Sequence, residues 1–167
     1  GARNPLGQLY QIVRLINELT ADWLRRKQRL QRNAGSKVQL KEYDATRKLL
    51  LNGVDGIIFV ADLMAVRRKK NILSLNNLSA NLKKNNKNIF KIPLIFQFNK
   101  VDLSHNGIPI LKQKTLWSDL NRKLKRPYYV TSAIRGTNVI KTLKHVIKLT
   151  YTDLKGSMKL ANSTGNC

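Results

Sequence analysis

At 167 residues and 19.1 kDa the chain has the size of one domain, long enough to bury a core. A hydrophobic content of 42%, with two Trp, five Tyr and four Phe, excludes an intrinsically disordered chain despite its charge. Thirty-two Lys+Arg against nine Asp+Glu give a net charge of +23, which excludes a polyanion-like role and admits nucleic acid, an anionic lipid surface or an acidic protein as partner.

In chain order, residues 5–31 carry apolar side chains at helical spacing, with Asn4 as N-cap and Pro5 at the first helical position, and predict one long amphipathic helix. A turn at residues 33–36 follows, then a short strand around Val38 and Leu40 and a helix over 44–51 that stops at Asn52-Gly53. The run Gly56-Ile57-Ile58-Phe59-Val60-Ala61 is apolar without alternation, as in a strand buried on both faces. Residues 64–84 then read as a helix through Ile72, Leu73, Leu75, Leu78 and Leu82. A second buried strand is predicted over 92–98, with Pro93 tolerated at its start, and a helix over 111–125. A third strand at 127–131 and a closing helix over 138–155 complete the series, ahead of a polar, frayed tail at 156–167. Alternation of strand and helix predicts an α/β fold: three layers, a mostly parallel sheet and helices on both faces, as a single domain over residues 1–155.

A single cysteine, Cys167, excludes a disulfide framework and a Cys-based zinc cluster, and His105 and His145 stand far apart, so the sequence predicts no metal centre of that kind. A reducing, cytoplasmic setting is expected. No apolar run approaches the about 18–20 residues that span a bilayer, and there is no signal-peptide core. The chain opens on Gly rather than Met, from which a trimmed or fragmentary start is expected.

In parallel sheets ligands sit beyond the carboxyl ends of the strands. Beyond the second buried strand come Asn99-Lys100-Val101-Asp102, and at the end of the third come Thr131-Ser132-Ala133. A carboxylate at Asp102 can accept the ring N–H and the exocyclic amine of guanine, a donor pair that adenine lacks, and the wrong base would leave a buried charge unpaired. The stem of Lys100 would lie on the base face, Asn99 would tie the loops together, and a backbone N–H near Ala133 would meet the guanine carbonyl. Against this stands the bland reading, a polar loop in a chain rich in Asn and Lys.

Residues 43–62, 71–82, 92–103 and 136–144 closely resemble the mutual gliding protein A (MglA) type of small Ras-like GTPase, and the similarity extends over about residues 42–155. The resemblance implies a Ras-like P-loop NTPase fold and a GTP/GDP switch, read by effector or regulator proteins in cell polarity or gliding motility. It implies that Asn99, Lys100 and Asp102 bind guanine and that Thr131, Ser132 and Ala133 complete the pocket.

The phosphate half departs from the family. No Gly-x-x-x-x-Gly-Lys-Ser/Thr is present. The nearest stretch, residues 1–9, has Gln8 and Leu9 where Lys and Ser/Thr belong, its spacing is one residue too long, and a capped helix start explains it better. If Gly35 is the glycine of the Asp-x-x-Gly motif, Arg32 takes the acidic place and Ser36 replaces the usual water-orienting Gln. Arg reverses the charge that would approach Mg²⁺, so phosphate-binding and catalytic residues stay unassigned and hydrolysis is expected to be weak. The segment between the first helix and Gly35 is too short for the usual switch loop, so a degenerate relative or a replaced N-terminal third is expected.

Basic residues concentrate at Arg25-Arg26-Lys27 with Arg29 and Arg32, at Arg67-Arg68-Lys69-Lys70, and at Lys83-Lys84 with Lys87. A solvated helix face is the bland account of each. No acid lies between Asp62 and Asp102, which leaves a second function open: a nucleotide-free, GTPase-derived module docking on an acidic protein, an anionic membrane surface or RNA. Trp23 and Trp117 are expected to be core or interface residues.

Overall fold

Buried apolar runs become adjacent parallel strands in the computed structural model, which describes Leu51 and residues 53–164. The chain divides into two compact units between Asp55 and Gly56, and the second holds the three described strands. The long helix expected over 5–31, the turn at 33–36, the strand near Val38, Trp23 and the first basic cluster lie outside the described residues, as does nearly all of the helix expected over 44–51.

Strand β1 (Ile57–Asp62), helix α1 (Arg68–Lys84), strand β2 (Leu94–Asn99), helix α2 (Gln113–Leu120), strand β3 (Tyr128–Thr131) and helix α3 (Val139–Thr164) follow in order, with 3-10 turns at Ala65–Arg67 and Val101–Asn106. The sheet order is β1-β2-β3, with both pairings parallel. This is the expected α/β architecture of a Ras-like fold. Successive right-handed crossovers place α1 and α2 on one face, where Arg68 of α1 grips Asp119 of α2 at 2.7 and 2.9 Å. Helix α3 covers the other, touching Tyr129 through His145 and Gly56 through Thr150. The face of α1 and α2 holds an aromatic row: Phe59 on Phe96 at 5.5 Å, Phe96 on Phe98 at 6.2 Å and Phe98 on Tyr128 at 5.0 Å. Every residue of β2 is buried, polar Gln97 and Asn99 included, whereas β1, expected to be buried on both faces, leaves Val60 54% exposed and Ile58 and Phe59 only partly covered.

Element ends differ from expectation for identifiable reasons. Pro93 precedes β2 instead of opening it, its carbonyl accepting the Ile57 N–H at 2.8 Å, and Asn99 becomes the strand's last residue. Helix α2 stops at Leu120, because buried Asn121 clamps Arg126 by accepting its N–H and donating to its carbonyl, both at 2.7 Å, and Lys125 turns left-handed at φ 49°. Helix α3 continues to Thr164, nine residues beyond the expected end at Lys155, through a segment without proline.

Candidate functional site

The register aligns the last residues of all three strands: Asp62 faces Asn99, and Asn99 faces Thr131. A row of polar residues therefore stands at the carboxyl edge of a largely apolar sheet, where an α/β fold presents its ligands. Asn99 is buried, and its side-chain carbonyl accepts the Ala133 N–H at 2.9 Å and the Thr131 hydroxyl at 3.3 Å. It thereby holds the loop after β3 against the end of β2.

Lys100 turns the chain with a left-handed backbone, φ 75° and ψ 31°, unfavourable by about 1–2 kcal/mol for a residue with a Cβ. The turn launches the 3-10 segment and places Asp102 in it, 9% exposed. The Ser132 hydroxyl is the chief influence holding the Asp102 carboxyl below its ordinary pKa, joined by its own N–H and the nearby Arg135 and Lys100 cations, against the opposing effect of burial. Asp102 is therefore ionised at neutral pH. Ser132 is fully buried, and its oxygen also accepts the Arg135 N–H at 3.3 Å. Two backbone bonds between Ser132 and Thr137, 3.3 and 3.0 Å, close this loop, and Gly136 at φ 71° makes its turn.

The structure thus brings Asn99, Lys100, Asp102, Thr131, Ser132 and Ala133 to one edge. Thr131 and Ser132 have no exposed surface, so their side chains position neighbours. The Ala133 N–H already serves Asn99. Two residues that the sequence alone does not single out join the group: Asp62, whose carboxylate takes the Lys100 ammonium at 2.6 Å, and Asn71 of α1, which brackets the Asp62 backbone at 3.1 and 2.8 Å. The only sequence signal of Asp62 is a polar residue closing an apolar run, and Asn71, inside α1, carries none.

Residues 1–9, Arg32, Gly35 and Ser36, the stretches nearest to phosphate and metal motifs, lie outside the described residues. Among the described residues no group of three or more His, Cys, Asp or Glu stands together to hold a metal ion. No described helix is long and apolar enough to cross a membrane. A shallow concavity of about 590 Å³, lined by Trp117, Lys125, Arg126 and residues 127–129, opens at the amino end of β3 and shares no residue with the strand-end group.

No family model matches the chain. Over 113 residues it is 42% identical to the mutual gliding-motility protein MglA of Myxococcus xanthus (strain DK1622), a match covering 68% of this chain and 55% of that protein. The chain therefore spans about half the length of the curated relative it matches. Together with the parallel β1-β2-β3 sheet, this identity shows that the matched part of the chain belongs to the MglA-type Ras-like small GTPase family.

Proposed function

We propose that the strand-end group is a guanine pocket and that the protein binds GTP and GDP as a switch of the gliding-motility type. The observation that carries the reading is Asp102. A carboxylate offers about four acceptor positions. Held ionised at the carboxyl edge and still partly accessible, the Asp102 carboxylate has acceptor capacity for the ring N–H and exocyclic amine of guanine. Asn99 fixes the loop, Lys100 supplies a methylene wall for the base face, and Thr131 and Ser132 set the positions of Asn99 and Asp102. The N–H of Ile134, next to the committed Ala133, is the donor this reading gives to the guanine carbonyl.

An effector or regulator protein would read the bound state, in the cytoplasm. Asp102→Asn tests the pairing. The amide presents one donor in place of an acceptor, so preference should move from guanosine to xanthosine diphosphate in a labelled-nucleotide binding assay. An unchanged preference for GDP sinks the assignment.

A second reading draws on the surface of α1. Arg67, Lys69 and Lys70 are exposed and carry no ion pair among the described residues, whereas Arg68 is committed to Asp119. That face would dock an acidic protein, an anionic membrane surface or RNA without nucleotide.

A further inference from the structure

We infer that Asp62 is a positioning residue for the base pocket, acting through Lys100 and held in place by Asn71. The inference rests on the guanine-pocket reading. Asp62 ends β1 one strand away from Asn99, and both of its carboxylate oxygens are occupied within the protein. One lies 2.6 Å from the Lys100 Nζ, and the other accepts the Met64 N–H at 2.9 Å. The carboxylate is thus directed at Lys100 instead of at a ligand.

Its backbone is equally constrained. Asn71 is 7% exposed in a helix that is otherwise mostly polar and accessible. Its side chain accepts the Asp62 N–H at 3.1 Å and donates to the Asp62 carbonyl at 2.8 Å. An amide that uses both of its functions on one neighbouring residue prevents that residue from swinging away.

Lys100 needs such an anchor. A lysine stem has four rotatable carbons and a strongly hydrated ammonium, so at a strand end it would sample solvent. With the ammonium tied to Asp62 and 3.6 Å from the Met64 sulfur, the stem is drawn along the carboxyl edge between β1 and β2. There it offers a fixed apolar wall to the flat face of a purine. Asp62 supplies order to that wall, while Asp102 alone chooses between bases.

Fluorescent mant-GDP binding to the full chain, with unlabelled ADP as competitor, separates these roles. Asp62→Asn should weaken mant-GDP binding roughly tenfold, the size expected for one charge-assisted hydrogen bond, and leave the GDP-to-ADP preference unchanged. Lys100→Met, which keeps the stem and removes the charge, should show the same loss. The double variant should be no weaker than either single one. Equal binding by Asp62→Asn and the parent, losses that multiply in the double variant, or a changed base preference would each overturn the inference while leaving the pocket standing. Failure of the parent to bind mant-GDP overturns the pocket reading, and the inference falls with it.

Discussion

Gly56→Ala tests how closely α3 packs on the start of β1. A Cβ at this buried position would overlap the Thr150 hydroxyl and lie 3.3 Å from the Thr150 Cβ and 3.5 Å from a Val146 methyl. Thr150 and Val146 have no exposed surface, and the Thr150 hydroxyl already donates to the Val146 carbonyl at 2.7 Å. Relief requires either a new Thr150 rotamer, which loses that bond, or separation of helix from strand. Overpacking of this kind costs about 1–3 kcal/mol and the lost hydrogen bond about 1. The expected destabilisation is about 2–4 kcal/mol, a large share of the 5–15 typical of a domain. Denaturant unfolding of the parent, Gly56→Ala, Thr150→Ala and the double variant measures it. Removing the Thr150 hydroxyl opens the space, so the double variant should recover about 1–2 kcal/mol relative to additivity. A neutral Gly56→Ala, or strictly additive losses, would refute the contact.

Two more outcomes are expected from side chains at the carboxyl edge and on α1. The folded-state pKa of Asp102 is lowered, so its stabilisation is fully present above the ordinary carboxylate pKa and is lost as pH falls through the folded value. Ser132→Ala removes the largest cause of that lowering; the stability gap between parent and variant should be widest above about pH 4 and narrow on acidification, whereas a pH-independent gap contradicts the assignment. For the second reading, changing Arg67, Lys69 and Lys70 together to Glu should abolish retention on an anionic partner while leaving unfolding nearly unchanged; retention that persists and ignores salt rules that surface out.

Strands are legible in the sequence as short, largely apolar runs, fully buried in β2 but only partly in β1, and the motif at the end of β2 falls at a carboxyl edge on pattern alone. Boundaries are less legible. The end of α2 depends on Asn121 clamping a backbone five residues on, which leaves no mark on periodicity. The candidate site is half readable. Asn99, Lys100, Asp102 and residues 131–133 declare themselves by type and order, but their division of labour does not. That Thr131 and Ser132 are fully buried, and that the Ala133 N–H serves Asn99, emerges only from burial and distance. Asp62 is invisible for a different reason: its meaning comes from strand register, which sets it beside Asn99 across 37 positions of sequence.

Competition for labelled GDP addresses the central claim most directly. If the ionised Asp102 reads two donors on guanine, unlabelled GDP displaces the probe and ATP fails to do so even at roughly a hundredfold higher concentration. ATP competing as strongly as GDP, or a labelled GDP that does not bind at all, would contradict the account.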